Sequence, residues 1–444
     1  MDILSKILSD DNLELSYKNV HTNEGAPGID GMTTYELKSY FRIHGSEIKE
    51  QIRTRTYKPF PVKRVNIPKP DGGVRHLGIP TVTDRLIQQA IAQVLSPIFD
   101  KDFSEFSYGF RPNKSAHMAV DKALEYINME YDWVVDIDLE KFFDKVHHDK
   151  LMRIISKTVS DGDVISLIRK YLVSGISIDG EISPSEIGTP QGGPLSPLLS
   201  NIMLNELDKE LEKRGHKFVR YADDCLIFVR SEKSANRVMK RITRFIEEEL
   251  SLSVNVTKSR VTKPENIKFL GFGFYKNHYT NEYKQKVHEI SLNKFKEKIK
   301  LTTKRNWGVS LTYRLLKLQQ QFQGWFNYFG KYIGISELKK IDNNTRFRLR
   351  MIIWKRWKNT KTRFKALIKL GVNKYKAWEW ANSRRSYARV ATSFIMTRTV
   401  TNNKLTKRGF LSLESLKLKT IWKLNRRIPN GTYGGVEGAK TINV

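Results

Sequence analysis

Phe218-Val219-Arg220-Tyr221-Ala222-Asp223-Asp224-Cys225-Leu226-Ile227-Phe228-Val229 sets two apolar runs on either side of a Tyr-Ala-Asp-Asp turn. The pattern predicts a β-hairpin with paired carboxylates at its tip. Adjacent Asp side chains repel and prefer hydration, so holding them between buried strands is costly unless a cation sits there. Hard divalent cations take carboxylate oxygens, and Mg²⁺ uses one or two carboxylates together with substrate phosphates. Asp is also a common turn residue, so this stretch alone leaves a plain Asp-rich turn open.

A second stretch decides between the two. Trp133-Val134-Val135-Asp136-Ile137-Asp138-Leu139-Glu140-Lys141-Phe142-Phe143-Asp144 reads as an apolar strand ending in acids and running into an aromatic pair. A strand that delivers Asp138 beside Asp223 and Asp224 gives the carboxylate cluster of a two-metal nucleotidyl-transfer site. By pattern alone Asp136 and Asp138 are equivalent, since both lie on one strand face. Tyr-x-Asp-Asp, with the upstream Asp-x-x-x-Phe-Phe-Asp and the intervening Thr189-Pro190-Gln191-Gly192-Gly193, resembles a reverse transcriptase palm. More narrowly, the chain resembles the reverse transcriptase–maturases encoded by bacterial group II introns, over nearly its whole length.

That resemblance implies an α+β right-hand polymerase: fingers and palm, a helical thumb or maturase domain, and a basic C-terminal DNA-binding tail. The expected divisions are an N-terminal extension over 1–50, fingers and palm over 51–290, thumb (X domain) over 291–365, and a DNA-binding region over 366–444. The family spacing selects Asp138 as the catalytic acid, with Asp223 and Asp224. Leu139 would lend a backbone carbonyl to the second of two Mg²⁺ ions, with Mn²⁺ able to substitute. Phe143 becomes the ring under the sugar that excludes a 2′-hydroxyl, and Phe142 is left to packing.

The nucleotide has further candidate partners. Lys63 to Pro80, folded about Asp71-Gly72-Gly73, predicts a hairpin that could aim Lys69 and Arg75 at one anion. In the family these positions grip the triphosphate of a dNTP. Gln191 can hydrogen-bond the nucleotide where neighbouring glycines let backbone approach closely, and Lys258 matches a lysine that protonates departing pyrophosphate. The loop Asn23-Glu24-Gly25-Ala26-Pro27-Gly28 resembles the family loop that contacts the RNA template, through Asn23, Gly25, Ala26 and Gly28, although glycines around a proline are also a plain connector. Thr83 is the expected N-cap of the next helix. Helices are also expected over about 115–128, 195–213 and 235–250, and a hairpin over 176–187.

Charge divides the chain sharply. Of 78 basic and 47 acidic residues, the first 290 positions carry 42 and 41, and the last 154 carry 36 and 6. Seven of eight tryptophans (Trp307, Trp325, Trp354, Trp357, Trp378, Trp380 and Trp422) lie in that final third. So lopsided a segment self-repels without a polyanion, and the aromatics suggest base stacking. The basic helix with Arg346, Arg348, Arg350, Lys355, Arg356 and Lys358 is the expected RNA-binding face.

The implied partners are the host group II intron RNA, an RNA template with a DNA or RNA primer, target DNA and dNTPs, and no membrane. The implied location is the bacterial cytoplasm, at the nucleoid. Cys225, the single cysteine, rules out an internal disulfide or a cysteine-based zinc site. No signal peptide or transmembrane run is visible. The last histidine is His288, so a His-Asn-His endonuclease is not expected after it, and this resembles the short form lacking that domain. A non-enzymatic splicing factor and a viral RNA polymerase are the alternatives; the intact acids argue against the first, and Tyr-Ala-Asp-Asp with an intron-type thumb against the second.

Overall fold

The computed structural model describes residues 2–68, 72–178, 180–184, 187–189 and 192–425. Lys69 and Gln191, both expected at the nucleotide, lie outside these residues, as does the end of the expected DNA-binding region. The chain forms two compact units. One comprises the residues up to Leu270 with Phe274–Lys284, and the other Gly271–Gly273 with the chain from Gln285 onward.

The first unit holds two four-stranded sheets. Strands β1 (Val62–Pro68), β2 (Val74–Ile79), β4 (Ile176–Ile178) and β5 (Glu181–Ser183) form one, in the order β2-β1-β4-β5. The other contains β3 (Trp133–Ile137), β6 (Lys217–Tyr221), β7 (Asp224–Val229) and β8 (Arg260–Thr262), in the order β6-β7-β3-β8. β9 (Phe272–Lys276) and β10 (Tyr283–Val287) pair as a separate hairpin whose residues are divided between the units.

The second sheet is antiparallel throughout its described pairs, with Val135 opposite Ile227 and Ile137 opposite Cys225. Helices Ala116–Asn128 and Ser196–Lys213 pack on β6, and Glu232–Glu248 packs on β3 and β7. Val135, Ile137, Phe218 and Ile227 are buried there; each contributes about 1.5–3 kcal/mol by leaving water. Burial of the single thiol pushes the Cys225 pKa up, as befits its small apolar role.

Several boundaries differ from the sequence expectation. The helix Val82–Phe99 is capped by Thr81, not Thr83: Thr81 Oγ1 accepts from the Asp84 N–H at 3.1 Å and donates to the Asp84 carboxylate at 2.7 Å. This reciprocal bonding fixes the start two residues earlier and leaves Thr83 buried in the first turn. The helix expected from Ala235 begins at Glu232, because Ser231 accepts from the Ser234 N–H.

The second unit's described elements beyond β10 are helical, from Glu289–Thr302 to Leu413–Asn425. Its core joins Phe322, Leu338, Leu349 and Trp354 with Leu367, Ala377, Val390, Phe410 and Leu413. Packing is therefore continuous across the division expected at 365. The segment read as a basic tail is, as far as it is described, part of this helical core. Among the described residues, no helix is long and apolar enough to cross a membrane.

Candidate functional site

The site is built on the ends of β3, β6 and β7. Tyr221 pairs with Asp224, leaving Ala222 and Asp223 as a two-residue hairpin loop. Ala222 takes a left-handed φ of 56°, a conformation that costs a residue with a Cβ about 1–3 kcal/mol. Since Ile137 opposes Cys225, Asp138 leaves β3 beside Asp224. Asp138 is anchored by its own backbone: its carbonyl accepts from the Asn255 N–H at 2.8 Å, and its N–H donates to Ser259 Oγ at 3.0 Å. Leu139 bridges Val254 in the same connection.

Electrostatics tie the acids together. Asp224 is exposed, on the first residue of β7. Desolvation, then the charges of Asp223, Asp138 and Asp136, push its pKa up to about 7, against the pull of Lys258. Asp223 is also raised, first by desolvation and then by Asp138, while Arg75 and Arg220 pull it down. Asp136 rises to about 6 through burial, opposed by Arg260, whose Nε stands 3.7 Å from its carboxylate. Asp136 is thus paired with Arg260, and Asp138 with Lys258 at 3.7 Å.

The donor set, three carboxylates at neighbouring strand ends, suits a hard divalent cation. Among the described residues, no three acidic, His or Cys side chains already stand in metal-holding geometry. Asp138, Asp223 and Asp224 would hold such an ion, whose charge would offset the desolvation and the neighbouring carboxylates that raise Asp224.

Beside the carboxylates opens a cleft of about 560 Å³. Its lining brings together residues read in separate roles: Asn23, Gly25, Arg75, Phe143 and Asp223. Phe143 is half-buried and packs on the fully buried Phe142. The Phe143 carbonyl accepts from the Thr189 N–H at 2.6 Å, and His148 Nε2 stands 2.6 Å from the Gly188 carbonyl. Gly188 has a φ of 93°, and a Cβ there would stand 2.9 Å from the Phe143 oxygen. The glycine therefore lets the 188–189 segment lie directly against the backbone of the candidate sugar gate.

The amino-terminal loop serves the protein's own packing as well. A Cβ at Gly28 would stand 2.7 Å from Thr81 Cα, and one at Gly25 would collide with the Arg85 guanidinium. The Ala26 carbonyl accepts from Arg85 Nη2 at 2.7 Å. Asn23 is exposed on the cleft wall, whereas Gly28 is buried against the helix beginning at Val82.

The expected basic face in the second unit needs correction. Arg346 is 7% exposed, lies 3.7 Å from the buried Asp342 and stacks on Phe410. Arg350 donates to the Val400 carbonyl and to Asn402, both at 2.9 Å, and Arg348 donates to Thr303 and the Lys300 carbonyl. These arginines hold the second unit's helices together. Lys355, Arg356 and Lys358 are exposed. The tryptophans divide similarly: Trp354 is buried, while Trp378 and Trp422 are mostly exposed.

The sequence reading missed the support beneath the acids. Arg220, fully buried, donates to Asp208 through Nε and Nη2 at 2.7 and 2.5 Å. Asn201 and Asp208 lie on the helix behind the hairpin, with Asn205 between them. Asn205 accepts from the Ser104 N–H and donates to the Asp102 carbonyl. Polar residues at helical spacing on the buried face of this helix, opposite a charge inside an apolar strand, are the available signal.

Comparison with known proteins adds two family matches. The reverse transcriptase (RNA-dependent DNA polymerase) model matches residues 67–274, and the group II intron maturase-specific domain model matches residues 292–371. Protein YkfC of Escherichia coli (strain K12) is 31% identical over 56% of this chain and 74% of its own length. The group II intron-encoded protein LtrA of Lactococcus lactis subsp. cremoris is 29% identical over 60% of this chain and 55% of its own. A putative COX1/OXI3 intron 2 protein of Saccharomyces cerevisiae is 28% identical over 60% of this chain and 38% of its own. The chain thus spans well under two thirds of the length of those last two relatives. Among solved structures, a chain of a partial Cas6-RT-Cas1–Cas2 complex aligns over 56% of this chain and 43% of its own, at 24% identity and a TM-score of 0.37.

Proposed function

The chain belongs to the family of group II intron-encoded reverse transcriptases that carry a maturase domain, and on that premise we propose that it is an RNA-directed DNA polymerase that also binds its host intron RNA. In this reading it assists splicing and supports intron mobility by target-primed reverse transcription. The observation that carries the reading is the meeting of Asp138, Asp223 and Asp224 at the ends of β3 and β7, beside a cleft that also takes Arg75 and Phe143.

The reaction joins a primer 3′-oxygen to the α-phosphorus of a dNTP and breaks the α–β phosphoanhydride, releasing pyrophosphate. Asp138, Asp223, Asp224 and the Leu139 carbonyl would hold two Mg²⁺ ions, which would supply a lowered hydroxyl pKa and charge stabilisation on the leaving group. Arg75, with Lys69, grips the triphosphate as a fork and a point charge. Phe143 closes the space beneath the sugar, Gln191 orients the nucleotide, and Lys258 gives a proton to the departing pyrophosphate. Asn23 and the loop to Gly28 border the template.

The division of labour follows the expected segments: extension 1–50, fingers and palm 51–290, thumb 291–365 and DNA-binding region 366–444. The partners are intron RNA, an RNA template with its DNA or RNA primer, dNTPs and target DNA, in the bacterial cytoplasm at the nucleoid. The reading is tested by primer extension on an RNA template, run beside a splicing assay with the neighbouring intron RNA. Both activities are expected; absence of DNA synthesis with both Mg²⁺ and Mn²⁺ overturns the enzymatic half.

A further inference from the structure

We infer that Arg220, gripped by Asp208 and Asn201, is a positioning residue that fixes the Ala222–Asp223 turn in its metal-binding form. The proposal deepens the polymerase reading and rests on it. Arg220 does three things at once beneath the turn. Nε and Nη2 form a two-pronged pair with Asp208, at 2.7 and 2.5 Å, with both side chains essentially inaccessible to water. Nη1 donates to Asn201 Oδ1 at 3.1 Å and to the carbonyl of Ala222 at 3.0 Å. The guanidinium fork thus links the helix Ser196–Lys213 to the one peptide between the hairpin and Asp223.

The opposite side is held as well. Tyr108 N–H donates to the Arg220 carbonyl at 2.8 Å, and Arg220 N–H donates to the Phe106 carbonyl at 2.9 Å. Residues 106–109 therefore run alongside β6 as a clamp. Gly109 ends that clamp: a Cβ there would collide with the Ala222 N–H and stand 3.0 Å from the Tyr221 carbonyl carbon. Asn201 Nδ2 donates to the Gly109 carbonyl at 2.8 Å, so one asparagine serves both sides.

Ala222 sits at a φ of 56° between these two supports. A strained turn persists only where its surroundings over-determine it. Stability alone is a weak reason for such a pair, because apolar residues of similar volume replace a buried ion pair at little or no cost. What apolar residues cannot replace is the donor to the Ala222 carbonyl. Loss of that donor frees the peptide that aims Asp223 while leaving the core filled.

The test compares full-length wild type with Arg220→Met/Asp208→Leu, Arg220→Lys and Gly109→Ala. Thermal melting establishes which variants fold, and the comparison is made on those that retain the wild-type melting temperature. Two readouts follow: the Mg²⁺ concentration giving half-maximal primer extension, and Mn²⁺ affinity measured by electron paramagnetic resonance without synthesis. Loss of groups that orient metal ligands costs about 10- to 100-fold in metal affinity, and that is the shift expected in both readouts. Arg220→Lys, which keeps the charge but not the fork, is expected to fall between. Folded variants with both values within about threefold of wild type would overturn the proposal. If wild type itself extends no primer, the polymerase reading fails instead, and Mn²⁺ affinity still decides whether Arg220 positions the turn.

Discussion

Lys258 Nζ stands 3.7 Å from Asp138 Oδ2, so the candidate proton donor to pyrophosphate is paired with a candidate metal ligand. The lysine is more than half exposed, and an exposed pair of this kind contributes only about 0–1 kcal/mol to the fold. Lys258→Met should therefore leave thermal stability nearly unchanged. Loss of a positioned general acid costs about 10²–10⁴-fold in rate, so single-nucleotide addition should slow by at least the lower figure. A rate near that of wild type would reduce Lys258 to a counter-charge.

The carboxylate cluster also predicts a pH dependence. The pKa of Asp224 is raised from 3.8 to about 7 in the folded chain, first by desolvation and then by Asp223, Asp138 and Asp136. Its stabilising contribution is fully present below the unfolded value and is lost as pH rises through the folded one. In metal-free protein, Asp224→Asn should then raise the melting temperature at pH 8 and change it little at pH 4. Added Mg²⁺ should narrow the difference at pH 8 by stabilising only the wild type. An equal or lower melting temperature for the variant at pH 8 would contradict the coupling.

Phe143 shares the cleft with Asp223, and its backbone is tied to Thr189. Phe143→Val keeps an apolar side chain but opens the space under the sugar. Incorporation of ribonucleotides relative to deoxynucleotides should rise by about 10- to 100-fold, the range over which pocket shape discriminates small groups. An unchanged preference with retained activity would return Phe143 to packing against Phe142.

The second unit separates structural from exposed charge. Arg346→Ala removes the guanidinium beside the buried Asp342, which keeps its bonds from Ser412 and from the Leu413 and Glu414 N–H groups, and loss of such a partner costs about 1–3 kcal/mol. Lys355→Ala/Arg356→Ala/Lys358→Ala removes exposed charge only. It should keep the melting temperature, weaken RNA binding and flatten the salt dependence by up to about 0.7 log units per lost contact with single-stranded RNA. The reverse ranking in a melting experiment would contradict the burial pattern.

The hairpin of Asp223 and Asp224 and its partner strand are legible because apolar runs and acids at their ends are local signals. Arg346 was misread because a charge on a basic helix reads as exposed. The corrective signal was Asp342 four residues earlier, one of only six acids in the last 154 residues. Gly25 and Gly28 read as loop glycines, but their close approach is to Arg85 and Thr81, far along the chain, and no local pattern reveals that. Arg220 was hidden in the same way, since its partners Asp208 and Asn201 lie on a helix whose face cannot be assigned before the sheet is built.

The central claim is that Asp138, Asp223 and Asp224 form one site for DNA synthesis that is separable from RNA binding. The most direct measurement follows extension of a DNA primer on an RNA template by wild type and by Asp223→Ala/Asp224→Ala, with intron RNA affinity and splicing rate measured on the same preparations. The variant should make no DNA with Mg²⁺ or Mn²⁺ while binding the RNA and promoting splicing about as well as wild type. Primer extension within about tenfold of wild type would contradict the site, and loss of splicing by a folded, RNA-bound variant would contradict the separation.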